Sequence, residues 1–285
     1  MLMKSLTLHA PAKLNLNLKV KGKRADGFHE IDTLMVPLPG LCDRLTFTPS
    51  EDFSFSCNSD DLPANEENLV VKAVRAFEKA TAISCSYSIE LTKSIPHGAG
   101  LGGGSSDAAT TLMGLNSLNA APLTLDRLKE IAGSLGSDVP FFLQSLPSRC
   151  TGRGEVVKIV ADLPPLRVLL VKPDFAVSTL DAYKGWQSSV EIPDISYTAQ
   201  EIGGLTLIND LERPVFQKYR FLGEVKNWLG QQNGVMAAMM SGSGSTMFAI
   251  LQNDRVATNL IAAAQQDLDP NLWFWEGNIG NFQLP

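Results

Sequence analysis

The segment from Pro96 to Ala109 reads Pro-His-Gly-Ala-Gly-Leu-Gly-Gly-Gly-Ser-Ser-Asp-Ala-Ala, and five of the seven residues from Gly98 to Gly104 are glycine. Such a run costs conformational entropy, and it is expected where the backbone turns through positive φ or approaches something closely. Before it, Cys85, Tyr87, Ile89 and Leu91 fall on one side of an alternating, strand-like stretch. After it, an Ala/Leu/Met-rich stretch has helical character. Strand, glycine loop and helix start together make a phosphate cradle, because a helix N-terminus offers unpaired N–H groups and the positive end of a dipole.

Two common nucleotide folds do not fit this loop. Gly98, Gly100 and Gly103 satisfy Gly-x-Gly-x-x-Gly, but a dinucleotide fold needs a strand ending in an acidic residue some way on, and here a second helix follows. Gly98 and Gly103 also have the separation of a P-loop, yet Gly104 and Ser105 stand where Lys and Ser/Thr are required. A flexible linker is the bland alternative. It is disfavoured by Ser105, Ser106 and Asp107 at the helix start, where hydroxyls suit phosphate oxygens or Mg²⁺ and a carboxylate suits a cap.

The net charge of −6 and pI near 5.2 argue against a nucleic acid or an anionic membrane as partner. With 285 residues, 44% hydrophobic and 19% charged, the chain has the composition of an ordinary globular protein and the length of about two domains. Cys42, Cys57, Cys85 and Cys150 form no Cys-x-x-Cys pair, which points to neither zinc nor a disulfide framework and favours a reducing, cytoplasmic setting. Lys13, Asn15 and Asn17 interrupt any N-terminal leader pattern, and no apolar run reaches spanning length.

Leu14, Leu16, Leu18 and Val20 alternate with polar residues, which predicts a strand opened by Lys13. Strand patterns resume at Ile31–Val36, Leu45–Thr48 and Phe53–Cys57, and a helix is expected between Glu66 and Ala82. Beyond the loop helix, helices are expected at Leu125–Leu135 and from near Ser137, and a strand at Glu155–Val160. Asp162 to Pro165 is the expected boundary, dividing the chain into units 1–162 and 163–285. The second unit should hold a strand at Arg167–Val171, a helix capped by Ser178 and Asp181, and a helix over Pro214–Leu229. Two strands, Val235–Met240 and Thr246–Leu251, should flank the Ser241–Ser245 turn, with a helix over Arg255–Asp267. This mixture indicates an α+β fold.

Asp138 follows Gly136-Ser137 and precedes Pro140 by two residues, so it reads equally as a helix N-cap and as an acid/base carboxylate. Lys13 alone is also what an ordinary strand edge looks like. Asn15 shares its face of the strand.

The loop from Pro96 to Ser106 resembles the ATP loop of the GHMP kinases. The likeness extends through Pro11-Ala12-Lys13-Leu14-Asn15-Leu16, Arg24-Ala25-Asp26-Gly27-Phe28-His29 with Thr33, Leu135-Gly136-Ser137-Asp138-Val139-Pro140-Phe141-Phe142, Asn209-Asp210-Leu211-Glu212 and Ser241-Gly242-Ser243-Gly244. These motifs narrow it to the branch that phosphorylates a cytidine diphosphate-linked methylerythritol. The resemblance implies a ribosomal protein S5 domain 2-like N-terminal domain, a ferredoxin-like C-terminal domain and an active site between them, with ATP and Mg²⁺ as cofactors.

It further implies that Asp138 accepts the substrate hydroxyl proton, with Lys13 beside it. Pro96, His97, Gly98, Ala99, Gly100, Leu101, Gly102, Gly103, Gly104, Ser105 and Ser106 would hold the nucleotide. Asn15 would meet the erythritol hydroxyls, His29 would hydrogen-bond a cytosine, and Phe28 and Tyr183 would stack on its two faces, although Tyr183 also suits an ordinary amphipathic helix. Two positions depart from the pattern: Ser245 stands where proline often follows, and His97 where methionine is frequent. Competing readings are a kinase of another small alcohol such as homoserine or mevalonate, a non-catalytic nucleotide-binding relative, and an RNA-binding module. The stretch from Asp26 to His29 opposes the first, retention of Lys13 and Asp138 the second, and acidity the third.

Overall fold

The computed structural model describes residues 5–59, 61–160 and 163–282. The boundary expected at Asp162 falls outside them. Two long antiparallel strands open the chain, β1 (Leu6–Lys23) and β2 (His29–Pro49), closed by a turn in which the Arg24 amide donates to the Phe28 carbonyl. The segments read as separate strands at Ile31–Val36 and Leu45–Thr48 are two parts of β2. The pairing register jumps between Pro11 and Ala12, leaving Pro39, Gly40 and Leu41 opposite no residue of β1, so proline sits in a bulge and the strand bends without ending.

There follow β3 (Ser54–Cys57), α1 (Leu69–Thr81), β4 (Tyr87–Thr92), α2 (Gly103–Leu118), α3 (Leu125–Leu135), α4 (Val139–Phe142), β5 (Ser148–Gly152) and β6 (Val156–Ile159). Asn68 caps α1 by accepting from the Val70 amide, and Thr124 caps α3 by accepting from the Arg127 amide. The helical spacing of Val70, Ala73, Val74 and Phe77 turns one face of α1 into a core that it shares with Phe47 of β2, Leu112 of α2 and Phe141 of α4.

The second half supplies β7 (Arg167–Lys172), α5 (Thr179–Gly185), β8 (Gln200–Ile202), β9 (Leu205–Asn209), α6 (Glu212–Lys218), α7 (Arg220–Gly230), β10 (Val235–Met240), β11 (Met247–Leu251), α8 (Val256–Asp267) and β12 (Trp273–Asn278). Ser178 caps α5 by accepting from the Asp181 amide, as its motif implies. The single helix expected over Pro214–Leu229 is two, because Tyr219 leaves helical geometry at φ −125° and ψ 71°. Its ring stacks on Phe175, with centroids 5.3 Å apart.

Strands β10-β11-β7-β12 form one antiparallel sheet, and β3-β4-β2-β1-β9-β8, with β5 and β6 attached through β2, form the other. Strand β9 runs parallel to β1, so the first sheet takes two strands from the second half of the chain. Helices α1 to α4 cover the first sheet over one core, and a second core lies under α6 to α8. A third core is built from Leu14, Leu16, Val36, Leu170, Met239 and Phe248 and joins the two sheets. Among the described residues no helix is long and apolar enough to cross a membrane.

The start of α2 is pinned from below by charge. The Lys93 ammonium donates to Asp43 on β2 and, at 2.8 Å, to Asp107 Oδ2 near the start of α2. Asp43 Oδ1 also accepts from the amides of Ser94 and Ile95 at 2.6 and 2.8 Å, whereas Asp107 Oδ1 is buried with no partner among the described residues. Asp107 is therefore the carboxylate with less to lose on protonation. Burial, against the pull of Lys93 and with the push of Asp43, raises it to about 7.

A carboxyl whose folded value lies above its unfolded one, about 3.9, contributes stability that is complete below the unfolded value and lost as pH rises through the folded one. Between pH 6 and 8 the Tm of the unmodified protein should fall relative to that of Asp107→Asn, which has no proton to lose there. A difference in Tm that stays constant across that window would contradict the assignment.

Candidate active site

The loop between β4 and α2 takes the shape its glycines allow. Gly98, Gly100 and Gly102 have φ of 61°, 74° and 72°. A Cβ on Gly100 would lie 2.2 Å from the Ser241 carbonyl oxygen, so only glycine lets this loop meet the turn after β10. Backbone hydrogen bonds tie it on both sides: the Lys13 amide donates to the Leu101 carbonyl at 2.9 Å, and the Thr246 amide to the Ala99 carbonyl at 3.2 Å. Gly102 caps α2 without a side chain, leaving the first-turn amides of Gly103, Gly104 and Ser105 available to an anion.

Every residue from Pro96 to Ser105 lines one cavity of about 1040 Å³. Ser106 does not. It is fully buried in the first turn of α2, its hydroxyl without a partner among the described residues. His97, at the departure noted above, is exposed at the cavity edge. Ser245 is buried instead and donates to the Phe175 carbonyl at 2.6 Å.

Lys13 and Asn15 project from β1 into the same cavity. The Lys13 side chain is 4% exposed, and its ammonium donates to Asn15 Oδ1 at 2.5 Å and to the Gly100 carbonyl at 2.9 Å. Asp138 Oδ2 lies 3.6 Å away, an ion pair rather than a hydrogen bond. Burial lowers the Lys13 pKa, and the neighbouring Asp138 offsets part of that effect. Asn15 in turn donates to Thr33 Oγ1 at 2.8 Å, which fixes its amide orientation.

Asp138 precedes α4 with φ −85° and ψ −13° and makes no side-chain capping bond. The cap reading that its sequence left open is not realised, and its side chain, 30% exposed, faces the cavity. Gly154 packs close by: a Cβ there would come 3.5 Å from Asp138 Oδ1.

The same cavity also carries an aromatic cluster. His29 stacks on Tyr183, ring centroids 5.3 Å apart and planes 29° from parallel, and meets the edge of Trp186 at 6.0 Å. Burial, with Lys23 nearby, lowers the His29 pKa, which favours a neutral imidazole able to accept as well as donate. Phe28 is half exposed and carries the Arg153 guanidinium 4.6 Å from its ring centre. All three expected residues line the cavity, but His29, not Phe28, is the ring in contact with Tyr183.

Arg153 and Lys93 also line the site, and the sequence reading passed over both. Lys93 sits three residues before Pro96, within the strand-to-loop passage, and Arg153 lies in a Gly-Arg-Gly turn. Neither pattern states which part of the chain the cation will face. Among the described residues no three His, Cys, Asp or Glu side chains converge as a metal site.

Comparison with known proteins agrees with this arrangement. A family model described as the GHMP kinases N terminal domain matches residues 68–145, and one described as GHMP kinases C terminal matches residues 194–269. The chain is 41% identical to a 4-diphosphocytidyl-2-C-methyl-D-erythritol kinase of Methylacidiphilum infernorum, over 93% of both chains. A crystal structure of a 4-(cytidine 5'-diphospho)-2C-methyl-D-erythritol kinase superposes with a TM-score of 0.79 at 34% identity, covering 97% of this chain and all of that one. A homoserine kinase from Cytophaga hutchinsonii, 18% identical with a TM-score of 0.71, covers 100% of this chain and 99% of its own and shares the fold. Loop, cavity and relatives agree that the chain belongs to the 4-diphosphocytidyl-2-C-methyl-D-erythritol kinases, a branch of the GHMP kinases.

Proposed function

We propose that the chain transfers the γ-phosphoryl group of ATP to the 2-hydroxyl of 4-diphosphocytidyl-2-C-methyl-D-erythritol, giving the 2-phosphate and ADP, a step of non-mevalonate isoprenoid precursor synthesis. The observation that carries this reading is the Lys13–Asp138 pair, which lies in one cavity together with the glycine loop and the aromatic cluster. The loop amides and the α2 N-terminus receive the triphosphate. Asp138 takes the hydroxyl proton as the acceptor oxygen bonds to the γ-phosphorus and the bond to the β–γ bridging oxygen breaks. Lys13 balances charge on the transferring group.

Asn15 orients the erythritol hydroxyls, and His29, stacked on Tyr183, reads the cytosine edge. Mg²⁺ accompanies ATP. The hydroxyl of Ser105, at the start of α2 in the cavity, is a hard oxygen donor that would suit such an ion, most of whose ligands come from phosphate and water. We read the chain as two units, 1–162 carrying loop and catalytic pair and 163–285 carrying Tyr183, with the small-molecule site where they meet.

Incubation of the purified protein with Mg-ATP and the cytidylated erythritol should release ADP and yield a product heavier by one phosphoryl group; no ADP release would overturn the reading. Asp138→Asn should lower kcat by about 10²- to 10⁴-fold with KM for both substrates little changed. Near-normal turnover in that variant would remove Asp138 as base. His29→Ala should raise KM for the cytidylated substrate about tenfold, the loss of roughly one good hydrogen bond, and leave KM for ATP unchanged. An equal rise for ATP would contradict the cytosine assignment.

A further inference from the structure

The Asn209-Asp210-Leu211-Glu212 stretch contributes no group to the phosphoryl-transfer scheme above, yet its polar side chains are committed. Asn209 ends β9, is 4% exposed, and donates both amide hydrogens, to the Met240 carbonyl at 2.8 Å and the Gly242 carbonyl at 2.7 Å. Its Oδ1 accepts from the Leu211 amide at 2.9 Å. Asp210 Oδ2 accepts from the Val20 amide at 2.8 Å, and the Asp210 amide donates to the Leu18 carbonyl at 2.9 Å. Glu212 accepts from the Met240 amide at 2.9 Å and is ion-paired with Lys226. The stretch is thus fastened at one end to β1, the strand that carries Lys13 and Asn15, and at the other to the end of β10.

The two carbonyls that Asn209 holds flank Ser241. That residue's hydroxyl donates to the Gly100 carbonyl at 3.1 Å, the same oxygen that receives the Lys13 ammonium. The next residue is as close to the reacting groups: a Cβ on Gly242 would lie 3.0 Å from Asn15 Oδ1 and 3.3 Å from Lys13 Nζ. An amide is the side chain this geometry requires, because both partners are acceptors and a carboxylate there would face two carbonyl oxygens. Asp210 and Glu212 each fix one strand; Asn209 alone grips the turn on both sides of the residue that meets Gly100.

We infer that Asn209 is a positioning residue for phosphoryl transfer, holding the Ser241–Gly242 turn so that the Gly100 carbonyl keeps the Lys13 ammonium directed at Asp138. This rests on the phosphotransfer reading above. Without the clamp the turn relaxes, Gly100 loses its fixed place, and Lys13 loses one of two hydrogen-bond acceptors. The triphosphate meets the α2 N-terminal amides of Gly103 to Ser105 and the base meets the aromatic rings, none of which hydrogen-bonds to Asn209, so the effect falls on kcat.

The test compares Asn209→Asp and Asn209→Ser with the unmodified enzyme, all normalised to folded protein by circular dichroism. Asn209→Asp should lower kcat about ten- to a hundredfold with KM for ATP and for the cytidylated alcohol within about threefold. Asn209→Ser, which retains one donor, should fall between. The alkaline limb of the kcat–pH profile should move to lower pH in Asn209→Ser, because losing the Gly100 acceptor lowers the Lys13 pKa further, whereas in Asn209→Asp the introduced carboxylate opposes that shift.

Folded variants with unchanged kcat and an unmoved alkaline limb would overturn the inference. So would a loss of kcat that only tracks the folded fraction. If Asn209→Asp does not fold, Asn209→Ser alone decides between the same outcomes. Failure of the unmodified enzyme to release ADP would instead remove the phosphotransfer reading itself.

Discussion

A lysine ammonium taken out of water costs several kcal/mol unless it finds partners, and the Lys13 ammonium finds them in three separate places. Asn15 lies two residues along the same strand, the Gly100 carbonyl comes from the glycine loop, and Asp138 comes from the approach to α4. None of these can move far without stranding the charge. The loop must therefore lie against β1, which the backbone bond from Lys13 to Leu101 enforces, and α4 must pack under the loop, which Phe142 does against Gly102. A glycine loop that lacks the lysine of a P-loop acquires one from a strand eighty-seven residues away.

The two halves of the chain are bound to this centre by different means. The first holds the charged groups in place through the Asp43–Lys93–Asp107 cluster and the α1–α2 core. The second contributes the turn that touches Gly100 and the helix that carries Tyr183. A shared apolar core between the sheets joins them, and the parallel pairing of β9 with β1 extends that bond into the backbone. The glycine loop, the Lys13–Asp138 pair and the aromatic cluster thus line one cavity.

The sequence was most legible where local physics decides. The glycine loop, the cap at Ser178 and the alternation through Leu14 to Val20 each announce their structure in a few adjacent residues. Strands β5, β8, β9 and β12 went unread because they are short, polar or aromatic at an edge, and their pairing partners supply the order. Tyr219 breaks a helix that apolar spacing made continuous, since its ring stacks on Phe175 from another part of the chain.

At the site, the residue types were legible and the contacts were not. The cap reading of Asp138 ended only when its side chain was seen uncapped, and Lys13 could be an ordinary strand edge until its partners were in view. The grip of Asn209 on two carbonyls thirty-one and thirty-three residues away has no local signature at all.

The dependence of the whole arrangement on one carbonyl is tested most directly at Gly100. In Gly100→Ala the new methyl would meet the Ser241 carbonyl oxygen at 2.2 Å, on a backbone with φ of 74°, and must drive loop and turn apart. Steady-state kinetics of the folded variant should show kcat reduced by about a hundredfold or more, as the Gly100 oxygen leaves Lys13. A folded Gly100→Ala enzyme with kcat within about twofold of the unmodified one would show that the junction of loop, turn and lysine does not govern the chemistry.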